Sequence, residues 1–124
     1  MGWSAVGAIA LCLAVAFGAF GAHGLRGKLD AYSIDIYERA VFYQFIHAIG
    51  LLVTPLFVKS GMLRESTSSL VCLLLLAGIL LFSGSLYALA LSGNRILGAI
   101  TPFGGLSFLA AWLLLAWALF RAKP

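Results

Sequence analysis

The chain has 124 residues, 63% of them hydrophobic, with eight Lys or Arg, four Asp or Glu and a formal net charge of +4. Soluble domains carry about 45–50% apolar and about 25% charged residues, so this composition excludes an ordinary cytosolic globule and a disordered chain. Eight scattered cations make no basic stripe, which excludes nucleic acid as a partner, and the length allows one domain.

The positions of the charges divide the chain into elements. Residues 1–25 carry no charged side chain; Arg26, Lys28, Asp30, Asp35, Glu38 and Arg39 follow. Uncharged windows then run over 40–58, 66–94 and 96–120, separated by Lys59, Arg64 and Glu65 and by Arg95, with Arg121 and Lys123 after the last. A helix needs roughly 20 residues to cross a hydrocarbon core, and all four windows are about that long or longer. Runs such as Leu70-Val71-Cys72-Leu73-Leu74-Leu75-Leu76 do not alternate as barrel strands would. The expectation is an all-α integral membrane protein: one domain over 1–124, with four transmembrane helices at about 3–23, 40–58, 69–91 and 99–120 in a compact bundle.

The first span lacks the positively charged leader of a secretory signal, and its apolar stretch exceeds the usual 7–15 residues, so it reads as a retained helix. At 100° per residue, Ser4, Gly7, Ala10, Ala14, Gly18 and Gly21 fall on one face. Lipid tails are as apolar as leucine, so membrane helices associate through such small residues and through interhelical hydrogen bonds. His23 closes the span in Gly21-Ala22-His23-Gly24 and reads as an interfacial residue. In residues 26–39, Leu29, Tyr32, Ile36 and Ala40 recur at helical spacing, against Asp35, Glu38 and Arg39. This predicts an amphipathic interfacial segment between helices 1 and 2, either separate or continuous with the second span, with Asp35 placed to pair with Arg39 four residues on.

The second span alone carries a polar stripe. Tyr43, Gln44, His47, Gly50 and Thr54 fall on one face, and Phe42, Phe45, Ile46, Ile49 and Val53 on the opposite one. Unpaired polar groups in hydrocarbon cost several kcal/mol, so the stripe must face the bundle or a wet cavity. An ionisable residue inside a span is a functional-site hypothesis by default, and His47 is the one whose charge changes near neutral pH. The competing reading is a neutral histidine that fixes packing. Tyr43, Gln44, His47 and Thr54 are therefore the candidate functional stripe, with His23 as the candidate interfacial residue.

The third span repeats the small-residue face with Ala77, Gly78, Gly84, Ser85, Ala88 and Ser92; the fourth has Gly104, Ser107, Ala111 and Ala118. Gly7, Gly18, Gly21, Gly84, Ser85 and Gly104 are the expected helix-packing positions. Cys12 and Cys72 lie inside spans and read as packing residues rather than a disulfide. After the turn Ser92-Gly93-Asn94-Arg95, Thr101 reads as an N-cap with Pro102 at the first helical position, the alternative being a Pro-kinked helix from near Ile96. Four spans put both termini on one side, with Lys59, Arg64, Arg121 and Lys123. The other side holds Arg26, Lys28, Arg39 and Arg95. That is a tie by the positive-inside count. Asp30, Asp35 and Glu38 partly neutralise the second side, which favours cytoplasmic termini; insertion in both orientations is the alternative.

Four ordered motifs are familiar: Gly18-Ala19-Phe20-Gly21-Ala22-His23-Gly24-Leu25, Tyr43-Gln44-Phe45-Ile46-His47, Leu81-Phe82-Ser83-Gly84-Ser85-Leu86-Tyr87 and Thr101-Pro102-Phe103-Gly104-Gly105. Together they resemble the YgdD-like family of small bacterial inner-membrane proteins, or domain of unknown function 423, to which mitochondrial TMEM-type proteins are related. The resemblance implies a four-helix inner-membrane protein and no known activity.

The chain has no Gly-rich phosphate loop, nucleophile elbow, HExxH or zinc-type cysteine spacing. The expected function is a non-enzymatic binding or assembly module. Its partners are the lipid bilayer and a second copy or another membrane protein; no catalytic residue, metal or cofactor is assigned. A small transporter or channel working through the stripe of helix 2 is the alternative, and a haem- or metal-binding protein using His23 and His47 the third.

Overall fold

The computed structural model describes residues 2–123. Four helices are long and apolar enough to cross a membrane: α1 (Gly2–Leu25), α2 (Ala31–Lys59), α3 (Glu65–Ser92) and α4 (Arg95–Phe120). They form a four-helix bundle, and each is longer than the span expected for it from the sequence.

The largest extension is at α2. The interfacial segment expected over 26–39 is continuous with the second span, the second of the two arrangements the sequence allows. Residues 26–30 make the connection, and α2 runs unbroken from Ala31 to Val53 before a turn at Thr54-Pro55 and a last helical turn, Leu56–Lys59. Two features fix this start. The Asp30 side chain accepts a hydrogen bond from the Ser33 backbone N–H at 2.7 Å, an N-cap that satisfies an orphan donor. Ile36, Tyr37 and Ala40 are buried in a cluster with Leu25, Leu86 and Leu89. The polar face of these turns stays outside, where Arg39 meets Asp35 at 3.1 Å and Arg26 meets Glu38 at 3.7 Å.

The α4 start also differs from expectation. A 3-10 turn over Arg95–Ala99, capped by the Asn94 side chain on the Ile96 N–H, leads into the α-helix Thr101–Phe120. Pro102 sits in the first α-turn, where its missing N–H costs nothing. Thr101 does not cap: its hydroxyl lies 2.6 Å from that of Ser85, tying α4 to α3. Gly93, at φ +72°, closes α3 in the left-handed conformation that glycine adopts without a Cβ clash.

Packing follows the small residues. Ser4, Gly7, Ala10 and Ala14 are the buried positions of the α1 segment Gly2–Phe20. Gly7 stands over the α2 backbone, where an added Cβ would lie 2.5 Å from the Leu52 nitrogen; the Ser4 hydroxyl donates to the Leu52 carbonyl at 2.9 Å. Gly21 lies against the Tyr37 ring, Gly78 against the Phe108 ring and Gly104 against the Phe82 backbone, while Gly18 makes ordinary contact with Val41. Gly84 departs from expectation, since the nearest atom to an added Cβ is the Ile79 carbonyl at 3.9 Å.

The helices are not equivalent. α1 seats on α2, α2 on α3 and α3 on α4, and α1 and α4 share no comparable contact. The inner pair, α2 and α3, is accordingly more buried than the outer pair. Ile9, Val15, Leu106 and Leu113 are among the large apolar side chains that the outer helices present to lipid.

Candidate functional site

The polar stripe of α2 divides between two neighbours. Gln44 turns toward α1 and α3. Its Nε2 donates to the Ala10 carbonyl at 2.9 Å, and its Oε1 accepts from the Tyr87 hydroxyl at 2.7 Å. The Tyr37 hydroxyl donates to the Phe17 carbonyl at 2.5 Å, and the Tyr87 ring meets both Phe17 and Tyr37 edge-on at 5.2 Å. The Ser83 hydroxyl donates to the Ala40 carbonyl at 2.8 Å, from a wide helical turn over Ile79–Ser83. These bonds join three helices around a crevice of about 270 Å³ that opens between α1 and α3, past Ile9, Leu13 and Leu80.

Tyr43 and His47 turn the other way, toward α4. The imidazole lies face to face with Phe108, centroids 3.4 Å apart and planes at 11°, with Trp112 at 6.0 Å. Tyr43 is stacked 5.8 Å from His47 and 4.3 Å from Phe82 of α3. His47 Nδ1 is 2.6 Å from the Tyr43 carbonyl. A carbonyl only accepts, so Nδ1 carries the proton, and Nε2 of the neutral ring is an acceptor. The aromatic side chains line a groove of about 550 Å³ between α2 and α4, with Leu106 and Leu109 at its rim.

The remaining stripe residue, Thr54, is buried but bonds within its own helix, hydroxyl to the Gly50 carbonyl at 2.7 Å. The opposite face meets lipid at Phe42, Ile46, Ile49 and Val53, whereas Phe45 is half-buried against α3. His23 is exposed at the end of α1. Nearby Gly21 lies against Tyr37, and His47 is ten residues further along α2, about 15 Å of helix, so the two histidines stay apart. Among the described residues, no three His, Cys, Asp or Glu side chains gather as a metal site. Cys72 is buried and Cys12 exposed on the lipid side, both unbridged.

Tyr37, Tyr87 and Ser83 were not among the candidates read from the sequence, yet they carry the α1–α2–α3 network. The available signal was Tyr87 itself, a phenol inside an uncharged window whose hydroxyl needs a partner in hydrocarbon.

A family model described as a protein of unknown function, DUF423, matches residues 17–105. A UPF0382 membrane protein of Staphylococcus haemolyticus is 46% identical over 116 residues, 94% of this chain and 93% of that protein. One from Staphylococcus epidermidis is 48% identical over 110 residues, 89% and 88% of the two chains. The UPF0382 membrane protein YwdK of Bacillus subtilis is 44% identical over 112 residues, 89% of each. No solved structure matches the chain. A family match that takes in all four ordered motifs, and relatives this similar along almost their whole length, place the chain in the DUF423 family, as a small membrane protein without an assigned molecular activity.

Proposed function

We propose that this protein is a non-enzymatic binding and assembly module of the bacterial inner (plasma) membrane, with both termini in the cytoplasm. Its partner is embedded in the bilayer: a lipid, another membrane protein or a second copy. One observation carries this reading. Polar side chains in every span hold helices together: Ser4 to α2, Gln44 to α1 and α3, Ser83 to α2, Ser107 to the Leu74 carbonyl of α3. Groups engaged in this way are structural, and the surface left for function is apolar or amphiphilic. Native mass spectrometry of protein extracted in mild detergent tests this. Retained lipid, a partner or a second copy is expected; a strictly monomeric, lipid-free and partner-free species would sink the reading.

A transport role has one observation in its favour, a histidine in a groove between α2 and α4. Liposomes that show no flux of protons, halides or cations would remove it. Haem or metal ligation by His23 and His47 lacks comparable support, because Gly21 and Tyr37 set the two histidines apart; a featureless visible spectrum would dispose of it.

A further inference from the structure

The geometry points to the groove between α2 and α4 as a binding site for a hydroxylated ring dissolved in the bilayer, a phenol or hydroquinone that donates a hydrogen bond to Nε2 of His47. This inference rests on the binding reading above and names the ligand class.

The first observation is a polar atom without a partner. His47 is 5% exposed, and its only hydrogen bond among the described residues is the one from Nδ1. No fully sealed side-chain nitrogen or oxygen among the described residues lacks a partner, so Nε2 reaches accessible space, and His47 lines the groove. An unpaired acceptor in hydrocarbon costs free energy that a ligand hydroxyl recovers. The bond from Nδ1 to the Tyr43 carbonyl decides the ligand's polarity: the neutral ring accepts at Nε2, so the ligand must donate.

The second observation is the lining. Tyr43, Phe108 and Trp112 flank His47 with ring faces and edges, and Phe82 stacks on Tyr43 in the same lining. Aromatic pairs gain energy beyond their buried area in offset or edge-on arrangements, which favours a ring over a saturated chain. The volume, about 550 Å³, falls inside the range of small-molecule sites, about 300–1,000 Å³. Leu106 and Leu109 at the rim are more than half exposed, so entry is from the lipid phase. Tyr43 and Trp112 belong to the same lining, and a phenol and an indole each carry a donor suited to a second ring oxygen. A para-hydroquinone has both oxygens.

The test uses the full chain in phosphatidylcholine nanodiscs, titrated with a decyl-hydroquinone kept reduced, its dimethyl ether, and decanol. Tryptophan fluorescence reports binding, with Trp112→Phe identifying the local signal. The wild type is expected to prefer the hydroquinone over the ether by about three- to tenfold, the worth of one hydrogen bond, and to bind decanol more weakly than either. His47→Phe keeps a ring against Phe108 and removes the acceptor, so the preference should vanish while the ether still binds. His23→Gln should keep it. Equal affinity for hydroquinone and ether in the wild type overturns the inference, as does a preference that survives His47→Phe or decanol binding as tightly as the hydroquinone. The wild-type comparison needs no variant, so a misfolded His47→Phe leaves the test intact. Retained lipid or partner in native mass spectrometry together with no hydroquinone preference overturns this inference and leaves the binding reading standing.

Discussion

Gln44 is the residue on which the inner packing turns. One side chain satisfies a carbonyl of α1 and a hydroxyl of α3 at once, at 2.9 and 2.7 Å. Replacing it with leucine strips both partners and leaves the half-buried Tyr87 hydroxyl without its acceptor. Interhelical hydrogen bonds in membranes are worth about 0.6–2 kcal/mol, so Gln44→Leu should destabilise by about 1–3 kcal/mol with the stranded group included. Denaturation in mixed micelles measures it. Tyr87→Phe should cost less, and the double variant less than the sum, because the two changes remove one shared bond. Strict additivity would mean that the bond contributes nothing. The sequence makes Gln44 and His47 neighbours on one stripe, and so they are: three residues at 100° each leave them about 60° apart. Whether an arc of that width faces one helix or two depends on where the other helices stand. The spacing within α2 carries no such information, and here the arc straddles two crevices.

At the scale of the helix, close approach is where a single methyl group matters. An added Cβ at Gly7 meets the α2 backbone, which cannot give way as a flexible side chain can, and Gly104 stands likewise over the Phe82 backbone. Gly7→Ala and Gly104→Ala should each cost about 1–3 kcal/mol as overpacking. Gly84→Ala, with 3.9 Å to its nearest neighbour, should be neutral or stabilising by up to about 1 kcal/mol, because alanine is the better helix former. Equal effects at all three sites would refute the distinction. The misplacement of Gly84 has a physical cause. A helical projection assumes 100° at every step, and the wide turn over Ile79–Ser83 inserts an extra residue that rotates every later position of α3. The α1 face escapes this problem, because the corresponding turn, Gly21–Leu25, comes only at its end. The start of α2 makes a second test. The Ser33 backbone N–H, then its hydroxyl, with Arg95 further off, hold the Asp30 carboxyl below its ordinary value of 3.8. A depressed acid stabilises the fold above the unfolded value and loses that contribution as pH falls through the folded value. Amide exchange in residues 31–36, corrected for intrinsic rates, should therefore stay slow down to the carboxylate range and accelerate below it. Asp30→Asn, still a good cap, should abolish the acid-dependent part, and Asp30→Ala should speed exchange at every pH. A pH response unchanged in Asp30→Asn would assign it to another group.

For the molecule as a whole, the four spans are legible because hydrocarbon penalises charge and the scarce charges leave four uncharged windows, although the charged turns of α2 from Ala31 to Arg39 belong to the same helix. The order of contact between helices was not legible, since small-residue faces announce that a helix packs without naming its partner. Orientation depends on the same charges. Lys and Arg divide four and four between the two ends of the bundle. They differ in their surroundings. At the loop end, Arg26 and Arg39 are paired with Glu38 and Asp35, and Arg95 lies 5.2 Å over the Tyr32 ring. At the end with the termini, Arg121 lies 4.6 Å over the Trp117 ring, and Glu65 is the one acid there. The positive-inside rule counts cations near the span ends and gives little weight to acids. A tied count is therefore sensitive to small changes, and the acids decide only a narrow balance. A carboxy-terminal reporter that is active on one side of the membrane only should read mainly cytoplasmic in the wild type. Arg26→Gln with Lys28→Gln should make it entirely so, at a count of two against four. Arg121→Gln with Lys123→Gln reverses that count and should bring a large outward population. A reporter unmoved by both pairs would show that something other than these eight cations, such as a partner met during insertion, sets the orientation.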